Sequence, residues 1–121
     1  MKVLVVDDEK DIQRLFEQRF RKERRNGQVE FSFALSASEA LTYLEQEQST
    51  NLALILSDIN MPEMSGLELL RIIREKYPDQ KVFMLTAYGD EGFREQAARY
   101  GANGYLTKPI DFEDLKTKIL N

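Results

Sequence analysis

Five short apolar runs, separated by amphipathic helical patterns, constrain this chain more than any other feature. The runs are "KVLVVD" (residues 2–7), "VEFSFA" (29–34), "LALILS" (52–57), "KVFMLT" (81–86) and "GYLT" (104–107). Between and after them, apolar residues recur at helical spacing. The stripes are Ile12, Leu15, Phe16 and Phe20; Ala37, Ala40, Leu41 and Leu44; Leu69, Ile72, Ile73 and Tyr77; Phe93, Ala97 and Tyr100; and Phe112, Leu115 and Ile119. Each stripe is read as core packing and carries no function of its own. Regular alternation of strand and helix is the pattern of a parallel α/β sheet.

The strands are not alike, and their differences carry topology. The first and third are almost continuously apolar, as central parallel strands covered on both faces must be. The second alternates Val29, Phe31 and Phe33 with Glu30 and Ser32, which places it at an edge. The fifth is short and ends polar, which suits the other edge. With right-handed crossovers the simplest order is 2-1-3-4-5, a flavodoxin-like, doubly wound (βα)5 arrangement. Residues 1–121 read as one domain, since that length buries about two thirds of the surface an unfolded chain exposes.

Two absences narrow the chemistry. There is no cysteine and no histidine, which removes disulfides, thiolate nucleophiles, histidine-based triads, the usual zinc sites and any phosphohistidine on this chain. The apolar runs are far too short for a membrane span and the N-terminus has no signal-peptide core, so the expectation is a cytoplasmic protein without membrane insertion. A net charge of −4 argues against direct nucleic-acid binding. The local cluster Arg21, Lys22, Arg24 and Arg25 is read as cations at the C-terminal end of an exposed helix.

In an open parallel sheet the ligand crevice lies beyond the carboxyl ends of the strands, where strand order reverses. Here Asp7 and Asp8 follow the first strand and Asp58 the third. Thr86 ends the fourth, and Lys108, followed by Pro109, ends the fifth. Three crowded carboxylates must either hold protons or hold a cation, and the cation is the economical answer. Only oxygen ligands are on offer, which selects a hard ion such as Mg²⁺. Lys108 supplies a compact positive charge suited to phosphate, and Thr86 a short hydroxyl donor. Taken singly, an acid pair after a strand is a helix cap and "KP" is an ordinary loop. Four strand ends agreeing on one rim point instead to phosphoryl transfer, with Asp58 as the nucleophile that attacks phosphorus. With no evident general base, self-hydrolysis of the resulting acyl phosphate is expected to be slow.

The segments "VLVVDDE", "LILSDINMPEMSGLELLRIIR", "VFMLTAYGD" and "GANGYLTKPID", with the closing helix, resemble the receiver domain of the two-component response-regulator family from end to end. The resemblance implies Asp58 as phosphoacceptor, Asp7 and Asp8 as Mg²⁺-binding acids beside it, the Asn60 main-chain carbonyl as a further ligand, and Lys108 as the phosphate-pairing cation. It implies a cis peptide between Lys108 and Pro109. It couples Thr86 to Tyr105 as a switch read out on the face formed by the fourth helix, fifth strand and fifth helix, and it marks Asn60 and Tyr88 as side chains that tune phosphoryl lifetime. The donor is external, a sensor histidine kinase or phosphotransfer protein, and the recipient of the signal is an output domain or downstream effector. The chain is accordingly expected to be a phosphoacceptor that takes part in its own modification, not an enzyme in the usual sense.

Two rivals are weighed against this. A Mg²⁺-dependent aspartyl-phosphate phosphatase needs a D-x-D pair on the first strand, which "DDEKD" does not supply. A pseudo-receiver that binds without phosphorylation is opposed by the intact set Asp7, Asp8, Asp58, Thr86 and Lys108. There are also departures from the family pattern. "RFRKERRNGQ" (19–28) makes the first helix or its exit longer and more basic, and Ser65 stands where many relatives carry an acid. Asn103, Gly104 and Lys118 replace residues that support dimers through the switch face, so a phosphorylation-dependent dimer is left open.

Overall fold

The computed structural model describes residues 1–46, 51–87 and 91–120. Strands β1 (Lys2–Val6), β2 (Glu30–Ala34), β3 (Leu52–Asp58), β4 (Val82–Thr86) and β5 (Gly104–Thr107) form one parallel sheet in the order β2-β1-β3-β4-β5. The expected topology therefore holds, with strand ends displaced by one residue at several points. β1 stops at Val6, so Asp7 already lies beyond the sheet, whereas β3 runs through Asp58.

Period-two alternation sorts the strand residues onto two faces. Leu4, Val6, Ile55, Val82 and Met84 pack with helices α3 (Ala37–Leu44), α4 (Gly66–Lys76) and α5 (Glu91–Arg99). Val3, Val5, Leu54, Leu56, Phe83, Leu85 and Leu106 pack with α1 (Asp11–Arg19) and α6 (Phe112–Leu120). The helix stripes supply both layers, with two exceptions: Ile72 is half-buried and joins neither, and Tyr100, expected in the core, is 40% exposed. It follows the last residue of α5, where the helical periodicity no longer applies.

The first helix does not simply run longer. It breaks at Phe20 (φ −107°, ψ 21°), and a short helix α2 (Arg21–Arg25) follows. The break lets Phe20 sink into a cluster of rings, 4.9 Å from Phe31 and 6.1 Å from Phe112 between centroids. Burying that aromatic area outweighs continuing one helical turn. Glu23 of α2 then pairs with Lys116 of α6 at 3.3 Å, while Arg21, Lys22, Arg24 and Arg25 stay exposed.

Helix starts are capped by local sequence. Ser36 caps α3 by accepting from the Glu39 N–H at 3.0 Å, and Glu39 reaches back to accept from the N–H of Leu35, the residue before the cap, at 3.1 Å, a close variant of the capping box. Ser65 caps α4 through the Glu68 N–H at 3.2 Å, so this position is a helix cap. On the opposite side, Arg74 of α4 donates to the carbonyls of Pro78 and Gln80 and to Gly101 O and Asn103 Oδ1. Asn103 Oδ1 also accepts from the Val82 N–H at 2.8 Å. Asn103 thereby ties the turn before β5 to the start of β4.

Candidate functional site

Parity explains which side chains meet at the end of the sheet. Asp7 continues the series Val3, Val5; Asp58 continues Leu54, Leu56; and Lys108 follows Leu106 by two residues. All three therefore emerge on the α1/α6 side of the sheet, Asp7 and Asp58 at the ends of the adjacent β1 and β3 and Lys108 at the end of β5, across β4. Each is also held by its backbone: the Asp7 N–H donates to Ala34 O at 3.0 Å and the Lys108 N–H to Thr86 O at 2.8 Å. The Lys108–Pro109 peptide is cis.

The result is a tight ionic cluster. Lys108 Nζ lies 2.9 Å from Asp7 Oδ2 and 3.2 Å from Asp58 Oδ2, and Asp7 Oδ1 accepts from the Glu9 N–H at 2.9 Å. Asp7 is only 1% exposed and Asp58 7%, whereas Asp8 faces solvent. One carboxylate oxygen from each of Asp7, Asp8 and Asp58 lies within 4.8 Å of the other two.

The charges in this cluster do not balance. Three carboxylates and one ammonium leave −3 + 1 = −2 at one rim when all are ionised. Burial pushes the Asp58 carboxyl above its ordinary value; the Lys108 charge pulls it down, and the Asp7 charge pushes it up again. Burial acts to lower Lys108, but its hydrogen bond to Asp7 and the charges of Asp58 and Asp7 hold the ammonium above its ordinary range. A divalent cation fits this arrangement on two grounds. The donors are exclusively oxygen, which suits Mg²⁺, and the solvent-facing Asp8 leaves a side open for water and phosphate oxygens.

The remaining candidates are placed differently. Thr86 is buried, and its hydroxyl donates to Leu106 O on β5 at 3.5 Å, not to an acid of the cluster. Tyr105 is 37% exposed, with the Arg94 guanidinium 4.1 Å from its ring centroid. Asn60 is exposed, and its main-chain amide acts to lower the Asp58 carboxyl, the smallest of the influences on it. Tyr88 lies outside the described residues.

Sequence reasoning missed one positioning residue. Gly66 opens α4 and its N–H donates to Ile59 O at 2.8 Å. A Cβ there would overlap the Asp58 carbonyl oxygen and stand 2.8 Å from its carbon. The signal lay in "MSGLELL", a glycine directly after a cap residue and eight after the acid. Beside Lys108 a groove of about 500 Å³ is lined by Ile12, Leu15, Arg19, Ile110 and Phe112.

Comparison with known proteins agrees with this geometry. Residues 3–120 match the family model of the response regulator receiver domain. The chain is 34% identical over 121 residues to the chemotaxis protein CheY of Pseudomonas aeruginosa, covering 98% of this chain and 93% of that one. It is 38% identical to the DNA-binding transcriptional regulator NtrC of Proteus hauseri, covering 93% of this chain but only 22% of that protein. The structure of the response regulator TrrA from Thermotoga maritima, in complex with Mg²⁺-BeF, superposes with a TM-score of 0.78 at 36% identity, covering 98% and 95% of the two chains. No described helix is long and apolar enough to cross a membrane. The chain belongs to the response regulator receiver domain family, whose members act in phosphorylation-based two-component signalling.

Proposed function

We propose that residues 1–121 form one receiver domain that works as a cytoplasmic phosphorylation switch, with Asp58 as acceptor. The observation that carries this reading is Lys108 bridging Asp7 and Asp58 beside a third carboxylate, with an uncompensated charge of two. An Asp58 carboxylate oxygen attacks phosphorus of a phosphohistidine on an external kinase or phosphotransfer protein. The O–P bond forms as the N–P bond breaks, and the imidazole leaves with the bonding pair. The groove beside Lys108 supplies a concave, largely apolar seat for the donor next to the acceptor.

Asp7, Asp8 and Asp58, with the Asn60 carbonyl, would hold Mg²⁺, which neutralises charge on the phosphoryl oxygens when bound. Lys108 exchanges part of its contact with Asp58 for a phosphoryl oxygen, keeping Asp7 as its second partner. Thr86 turns its hydroxyl from Leu106 O toward the new anion, and Tyr105 moves into the space it leaves. The face of α5, β5 and α6 carries the change to an output domain or effector. Asn60 and Tyr88 set how long the acyl phosphate lasts. Self-dephosphorylation is slow, because a chain without histidine offers no evident general base for water.

The test is intact-protein mass spectrometry after incubation with acetyl phosphate and Mg²⁺. A single phosphoryl adduct is expected, absent with EDTA and absent in Asp58→Asn. No adduct, together with no spectral response to beryllofluoride, would refute the switch and favour a pseudo-receiver.

A further inference from the structure

We propose that Arg94 is a positioning residue that clamps Tyr105 outward and so sets how readily Asp58 phosphorylation turns the switch. The inference rests on the coupling of Thr86 and Tyr105 proposed above. Arg94 projects from α5, and its guanidinium carbon stands 4.1 Å from the Tyr105 ring centroid, close for a cation over an aromatic face. Its Nε is buried without a hydrogen-bond partner among the described residues. Although Glu91 and Glu95 line the same pocket with Arg94, Ala98 and Tyr105, neither carboxylate forms an ion pair with Arg94 among the described residues. A guanidinium that forgoes both an acceptor at Nε and an adjacent carboxylate is held where it is by the ring.

The register connects this contact to the acceptor site. Tyr105 pairs with Met84 and Thr107 with Thr86, so Tyr105 and Thr86 lie on the same face of adjacent strands, one pleat apart. Thr86 Oγ1 is engaged with Leu106 O, and the Tyr105 ring stands out against Arg94. For the ring to move inward, it must leave the guanidinium. The contact therefore stabilises only the outward state, and a group that interacts with one state alone shifts the equilibrium by the whole of that interaction. Removing a partly exposed cation–π contact corresponds to a factor of about two to five in the inward-to-outward ratio.

The experiment uses the full chain labelled with 3-fluorotyrosine, followed by fluorine NMR during titration with beryllofluoride and Mg²⁺. The Tyr105 resonance is assigned by Tyr105→Phe, and the other four tyrosines report whether each variant is folded. In Arg94→Ala, the ligand-free Tyr105 signal is expected to shift toward its beryllofluoride-saturated position, and the titration midpoint to fall about two- to five-fold. Arg94→Lys, which keeps a cation, is expected to lie between that variant and the parent. If the parent's Tyr105 signal moves on titration while Arg94→Ala matches the parent in position and midpoint, the clamp is refuted and the switch stands. If the parent's signal does not move at saturation, the switch reading and the clamp fall together.

Discussion

Gly66→Ala is the substitution whose consequence can be worked most directly from the geometry. The new Cβ would stand 2.8 Å from the Asp58 carbonyl carbon and 2.9 Å from Ile59 Cα, and would overlap the Asp58 carbonyl oxygen. Comfortable carbon–carbon contacts lie at about 3.5–4.0 Å, so α4 must lift or the end of β3 must bend by roughly 1 Å. The obstacle is backbone at the end of a central strand and cannot rotate aside, which places the cost at the upper end of overpacking, about 3 kcal/mol. For a domain of this size that lowers Tm by roughly 10–15 °C. Because the displaced atoms belong to Asp58, phosphorylation by acetyl phosphate should also slow, by up to about 100-fold for a misplacement near 1 Å. Gly92→Ala is the matched control: it lies in α5 with nothing within 4 Å of its Cβ, and should be neutral or stabilising by about 0.4–1 kcal/mol. Urea unfolding and adduct formation measured on both variants decide the matter. A Gly66→Ala protein within about 0.5 kcal/mol of the parent and phosphorylated at the parent rate would refute the argument.

Arg74→Ala removes four hydrogen bonds, at 2.9, 2.7, 2.7 and 3.1 Å, and should cost about 2–4 kcal/mol in urea unfolding; a loss below about 1 kcal/mol would mean that water replaces the arginine. Asp58→Asn should be more stable than the parent at neutral pH without divalent metal. The Asp58 carboxyl is raised in the folded protein, chiefly by burial, so stability is lost as pH rises through the folded pKa. The gain should therefore shrink as the pH falls through the folded pKa toward the ordinary carboxylate value of 3.8, and be absent below it; a variant less stable than the parent at pH 7 would contradict this. Glu23→Gln should behave oppositely. A backbone hydrogen bond, and secondarily Lys116, hold the Glu23 carboxyl below its ordinary 4.5 against a smaller opposing effect of burial. Its contribution is present above that value and disappears as pH falls through the folded pKa. Stability curves of parent and Glu23→Gln that stay parallel from neutral pH into acid would rule the linkage out.

Several features were legible because they depend on neighbours along the chain. The alternation in "VEFSFA" marked β2 as an edge, and the unbroken runs in "VLVV" and "LALIL" marked central strands. The break at Phe20 was not legible, because periodicity shows that a phenylalanine faces the core but not that a helix must bend to deliver it. Tyr100 failed in the other direction: it keeps the stripe's spacing after the helix has ended. Gly66 was not singled out: "MSG" signals a cap followed by a glycine, but the Asp58 carbonyl against which that glycine packs comes from another element.

The same division holds for the site. Which residues reach the rim follows from sequence alone, because a strand's two-residue period and its parallel neighbours dictate that Asp7, Asp58 and Lys108 emerge on one side. That they carry oxygen donors only, and hence suit a hard cation, follows from composition. What only the tertiary structure decided is how their charges are shared and how the switch pair rests. Lys108 Nζ reaches Asp7 across 101 positions of sequence, Thr86 is engaged by a carbonyl of the next strand, and Arg94 of one element covers Tyr105 of another. Those are distances between side chains of different elements, and packing sets them, because a local pattern fixes the direction of a side chain but not what it meets.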